Sequence, residues 1–239
     1  MAVGLDAVVT MCAVGVTITV CLGMWSSKMG TGLAMTVPFS WHPVLMTLGY
    51  ASLMTLGRWA YLADPNEKLG IVDLQDRRIV HRVCMILAST AALAGYVAIF
   101  VAHWPSGQYF GYGFVKGQWS EWRRVVHVYI GYTLLVLVAM QAYMGLQKLS
   151  TLRSGGPRIF TFHGSLGKGI MALSTVEILL AVWFWAWGTG MKVVVALLAV
   201  TCGLCGALAP RGLLGEATTD QSLQRDETEI APVLMGGAQ

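Results

Sequence analysis

The run Val125–Leu146, VVHVYIGYTLLVLVAMQAYMGL, decides the fold. It contains no lysine, arginine, aspartate or glutamate, and it is as long as a helix that crosses a bilayer, which takes about 20 residues. It also opens with a histidine, His127. The pattern recurs in FSWHPVLMTLGYASLM around His42, in DRRIVHRV at His81 and in FHGSLGKG at His163. Four consecutive apolar stretches therefore each carry a histidine near their start.

Composition extends the pattern to the whole chain. Of 239 residues, 56% are hydrophobic and 12% charged, about half the charged share of a soluble domain. Six spans are expected, at Ala7–Trp25, Ser40–Leu62, Ile79–His103, Trp122–Leu146, His163–Trp187 and Met191–Ala209, each bounded by charges, prolines or glycines. The first lacks the basic start and small-residue cleavage site of a signal peptide, so it reads as a helix. The expected fold is all-α and polytopic: a membrane domain over residues 1–209, then a polar cytoplasmic tail over 210–239 that composition marks as disordered. A net charge of +4 is too small and dispersed for nucleic acid.

The cations orient the spans. With the N-terminus in the cytoplasm, Arg58, Lys68, Arg77, Arg78, Arg82, Lys148, Arg153, Arg158, Lys168, Arg211 and Arg225 lie inside. Lys28, Lys116, Arg123, Arg124 and Lys192 lie outside, which is a clear positive-inside bias. Both termini are then cytoplasmic. Successive spans run in opposite directions, so His42 and His127 fall near the outer face, and His81 and His163 near the cytoplasmic face. A helix of about 22 residues rises roughly 33 Å, which separates the two levels by half to two-thirds of the membrane.

Ionisable residues inside a membrane are expensive and by default functional. One histidine alone could equally be a hydrogen-bonding or capping residue. Four in register, paired by face, read as two axial pairs for haem, because an imidazole on each side of a porphyrin saturates the iron. A non-haem metal fits less well, since no carboxylate or thiolate lies at matching depth in more than one of these helices. Gly49, Ala88, Gly95, Gly131, Gly164 and Gly167 would let a flat ring approach a helix backbone, or would serve close helix packing. Glu177, fourteen residues after His163, needs a partner, and Gln141 at the matching depth of the fourth span is the expected one. Cys202 and Cys205 form a C-x-x-C in an apolar stretch with no second pair, which suits neither zinc nor redox chemistry. No disulfide framework is implied.

These segments resemble the eukaryotic cytochrome b561 family over roughly Phe39 to Trp187, most specifically in the Trp41-His42-Pro43 motif. The chain looks closest to the short, stand-alone ferric reductase type. The resemblance implies six helices with a four-helix core that holds two b-type haems non-covalently, ligated in the pairs His42/His127 and His81/His163. It implies electron transfer from cytoplasmic ascorbate to monodehydroascorbate or a ferric chelate on the other side. The setting would be an endomembrane (vesicle, vacuole, lysosome or ER) or the plasma membrane, with homodimerisation left open.

Ascorbate is a monoanion, so a cationic rim would concentrate it. Arg77, Arg78 and Arg82 flank His81, and Arg153, Arg158 and Lys168 flank His163. Arg77 and Arg78 also match the basic residues that the family carries ahead of this histidine, although each could be a plain anchor. His103, in FVAHWPSG, closes the third span beside an aromatic loop with Trp104, Tyr109, Phe110, Tyr112, Phe114 and Trp119. It is a candidate contact for the outer acceptor, or part of an interfacial belt. Two other functions are compatible with the pattern: a quinol-coupled cytochrome b subunit of a dehydrogenase, and a haem-free polytopic transporter.

Overall fold

The computed structural model describes residues 2–60, 74–157 and 159–208. Arg158, Lys68 and the tail 210–239 lie outside the described residues. The helices are α1 (Ala2–Trp25), α2 (Pro38–Met46), α3 (Met54–Trp59), α4 (Leu74–His103), α5 (Trp122–Arg153), α6 (His163–Phe184) and α7 (Thr189–Leu208). Five of these, namely α1, α4, α5, α6 and α7, are long and apolar enough to cross a membrane. Leu93, Val136 and Leu197 are each at least 60% exposed on their outer faces, as expected for surfaces solvated by lipid tails and not for a water-soluble domain.

The remaining expected span is a helical run interrupted in the middle. Between α2 and α3, Thr47–Leu53 is a π-helix. Pro43 lies inside α2 and has no N–H to donate to the preceding turn. The Thr47 hydroxyl donates to the carbonyls of Pro43 and Val44, at 2.8 and 3.0 Å, where the wider turn begins. π segments within α-helices are rare and gather at functional sites.

The run from α2 to α3 packs closely along α4, and α5 packs along α6, while α4 meets α5 and the π segment meets α6 more loosely. α1 and α7 lie against each other, α1 on the π segment and α7 on α6. Ala13, Val16, Val20, Val195 and Ala199 fill that outer seam. A second cluster, with Tyr50, Met54, Ala88, Ala92, Leu134, Val138 and Ile170, sits between α2–α4 and α5–α6. At one end Trp59 donates to the buried Asp6 carboxylate at 2.5 Å and ties α3 to α1. The other eight of the nine tryptophans gather at the opposite end, beside His103, where an indole can meet both lipid and water.

The aromatic segment after α4 departs from a plain loop. It folds into three two-residue antiparallel strands, β1 (Gln108–Tyr109), β2 (Tyr112–Gly113) and β3 (Gln118–Trp119). Tyr112 is paired with both Tyr109 and Trp119, and such cross-strand aromatic pairs hold short ribbons together. Between β1 and β2, Phe110 and Gly111 both take positive φ, 53° and 78°, as a two-residue hairpin turn requires. That conformation costs a bulky residue energy, and the Phe110 ring packs on Tyr132 of α5 at 5.3 Å.

Candidate haem-ligating histidine pairs

At the His103 end, α2 and α5 bring His42 and His127 together with ring centroids 6.2 Å apart and planes 86° apart. Two imidazoles bound through nitrogen to one metal at about 2 Å would place their centroids roughly 6 Å apart, so the pair is spaced for shared axial ligation. The Nδ1 of His42 lies 3.0 Å from the Gly95 carbonyl of α4. A carbonyl only accepts, so Nδ1 carries the hydrogen and Nε2 keeps its lone pair for a metal.

His127 has a different partner. Its Nδ1 lies 2.8 Å from Oε1 of Glu177 on α6, within ion-pairing distance but without hydrogen-bond alignment. Glu177 is 8% exposed. This overturns the pairing of Glu177 with Gln141. The reason is antiparallel geometry: fourteen residues rise about 21 Å, so a residue fourteen places after one helix's histidine lies level with the histidine of its neighbour. Glu177 is therefore at the level of His127. Gln141, fourteen after His127, is at the level of His163, where its Nε2 donates to the His163 carbonyl at 2.7 Å.

Both rings line a cavity of about 250 Å³ together with Tyr50, Tyr96, His103, Arg124, Glu177 and Trp185. A single water needs only about 10–15 Å³, so this space is no packing defect. Its walls are apolar and aromatic from Pro43, Met46, Leu134 and Phe184, and Tyr109, Phe110, Gly111 and Ser120 also line it. Tyr50 OH and Trp187 Nε1 are buried in this lining without a hydrogen-bond partner among the described residues. Phe39 stacks on Trp185 at 5.3 Å and touches His103 at 6.2 Å, and the Arg124 guanidinium lies over the Phe184 ring at 5.7 Å. The structure thus joins His103 to the same cavity as His42 and His127.

Comparison with known proteins finds no match among family models, curated proteins or solved structures.

At the opposite end, the Nδ1 of His81 on α4 lies 3.0 Å from the Gly57 carbonyl of α3. His163 stands at the start of α6, and its Cε1 is 3.5 Å from where a Cβ on Gly145 would stand. The Nε of Arg58 donates to the Gly206 carbonyl at 2.6 Å. Among the basic residues expected there, Arg77 is half-buried one turn before His81, Arg82 is half-buried beside it and Arg78 points outward. Lys168 is half-buried on α6.

Sequence reasoning missed the two glycine carbonyls behind His42 and His81. The signal was present in the spacing, because Gly95 follows His81 by fourteen residues and Gly57 follows His42 by fifteen. The glycines divide between the two expected uses. A Cβ on Gly49 would stand 2.9 Å from the Ala88 carbonyl and one on Gly95 3.2 Å from the Leu45 Cβ, which is helix packing, whereas Gly131 lines the cavity. Among the described residues no group of three or more histidine, cysteine, aspartate or glutamate side chains is arranged to hold a metal ion. His42 and His127 come together as a pair.

Proposed function

We propose that this chain is a transmembrane dihaem b-type cytochrome of the b561 kind, which carries electrons from cytoplasmic ascorbate to a ferric chelate or monodehydroascorbate across the membrane. In this reading α2 to α3 completes six spans, and that span with α4, α5 and α6 forms the four-helix core. The observation that carries it is the pair His42 and His127, spaced for shared axial ligation beside a cavity, with Nδ1 of His42 engaged by a carbonyl. His42 and His127 would hold one haem, His81 and His163 the other. Haem bound there supplies a one-electron couple at each level.

The chain's own residues do the rest. Gly95, Gly57 and Glu177 orient the imidazoles from behind, as partners of ligating histidines do. The middle cluster from Tyr50 to Ile170 keeps water out between the two levels. At the cytoplasmic end Arg58, Arg77, Arg82 and Lys148 draw an ascorbate monoanion toward His81 and His163. At the other end Arg124 and His103 stand at the mouth of the cavity, where an anionic acceptor would dock.

The test is a reduced-minus-oxidised spectrum of the purified protein with haem quantification. Two b-type haems per chain are expected, and a haem-free protein would overturn the reading in favour of a transporter. Ascorbate should then reduce both haems, and a ferric chelate should reoxidise them. Reduction by a quinol where ascorbate fails would reassign the chain as a quinol-coupled subunit.

A further inference from the structure

We propose that Glu177 and Gln141 are positioning residues that set the two haem sites at unequal potentials, with the His42/His127 site the lower. The inference rests on the dihaem reading above and concerns what differs between its two sites.

The helix pair of α2–α3 and α4 treats both sites alike. It presents a glycine carbonyl to the Nδ1 of His42 and another to the Nδ1 of His81, both at 3.0 Å. The pair α5 and α6 does not. At the equivalent place, fourteen residues beyond each helix's own histidine, α6 carries Glu177 and α5 carries Gln141. Glu177 brings Oε1 to 2.8 Å from the Nδ1 of His127. Gln141 binds the backbone carbonyl of His163, and among the described residues the Nδ1 of His163 and the Oε1 of Gln141 are both left without a hydrogen bond. One ligand therefore has a carboxylate behind it, and its counterpart has a neutral amide that does not engage the ring.

The electrostatic consequence has a definite sign. A bis-imidazole haem carries one more positive charge when oxidised than when reduced. A carboxylate at the ligand's Nδ1 favours the oxidised form directly through its charge, and indirectly by making the imidazole a stronger donor. Burial of Glu177 keeps solvent from screening the effect. At the other site the amide of Gln141 is uncharged and bonds the His163 backbone instead of its ring.

Spectroelectrochemical titration of the purified holoprotein tests this, with each haem assigned by the one that His42→Ala removes. E177Q should raise the midpoint of the His42/His127 haem by enough to change its oxidised-to-reduced ratio about tenfold, about 59 mV for one electron, and leave the other unmoved. Q141E should lower the midpoint of the His81/His163 haem. The inference is overturned if E177Q leaves both midpoints in place or shifts both equally. Should E177Q lose its haem, Q141E at the other site decides alone, and an unmoved midpoint there overturns the proposal. Wild-type protein without haem sinks the dihaem reading itself, whereas two haems indifferent to both substitutions sink only this inference.

Discussion

His42 and His81 lie on neighbouring antiparallel runs, and each directs its Nδ1 to the carbonyl of a glycine on the other's run, Gly95 and Gly57, at 3.0 Å. The relation is close to a two-fold exchange. A Cβ on Gly95 would meet Leu45 and Met46, three and four residues after His42, and one on Gly57 would meet Cys84 and Met85, three and four after His81. Each histidine is thus oriented by the helix that carries the other, and the two levels share one rigid seam.

The two pairs should nevertheless empty separately. His42→Ala and His81→Ala are each expected to lower haem content from two per chain to one, because each removes a ligand from only one level. Haem extraction and quantification checks this. Two haems remaining in either variant would refute the pairing.

The seam also predicts an order of stabilities. Gly57→Ala would put its Cβ 2.7 Å from the Cys84 Cβ, whereas Gly95→Ala comes no closer than 3.2 Å to Leu45. Overpacking costs about 1–3 kcal/mol, and Gly57→Ala should take the larger share. Thermal unfolding of the two variants in the same detergent gives the comparison, and a more stable Gly57→Ala would contradict it.

The bond between Trp59 and Asp6 offers a second stability test. Asp6→Ala strands a buried indole N–H, a loss of about 1–3 kcal/mol, while Trp59→Phe removes the donor. The double variant should be less destabilised than the sum of the singles, as coupled partners require. Simple additivity in a double-mutant cycle would show that the contact contributes nothing.

At the mouth of the cavity, Arg124→Ala should slow reduction of an anionic ferric chelate about two- to fivefold at low ionic strength, since an exposed charge contributes about 1 kcal/mol or less. The deficit should shrink as salt is raised, with haem content unchanged. His103→Ala should lower the same rate without that salt dependence. An Arg124→Ala defect that persists at high salt would mean that the side chain shapes the mouth and does not attract the anion.

The long helices were legible because lipid-facing and core-facing residues are both apolar, so composition alone marks them. The four histidines were legible because an ionisable group stands out in such a run. What lay behind them was not. Glycine carbonyls have no side-chain signature, and Gly57 and Gly95 become recognisable as partners only once the antiparallel register is known. Glu177 was recognised as needing a partner, but depth measured from the start of each helix put it level with Gln141. Measured across antiparallel neighbours, the same count puts it level with His127.

The π segment Thr47–Leu53 acts as an inserted residue that the chain has absorbed. Fourteen residues separate His81 from Gly95, His127 from Gln141 and His163 from Glu177, but fifteen separate His42 from Gly57. The wider turn takes up the extra one, so Gly57 still arrives beneath His81 without a rotation of about 100° that one added residue would impose on a regular helix. Deleting a residue between Thr47 and Leu53 should therefore tighten the segment into plain α-helix and leave both ends in phase. The same deletion in α4, α5 or α6 would turn one histidine level away from the other.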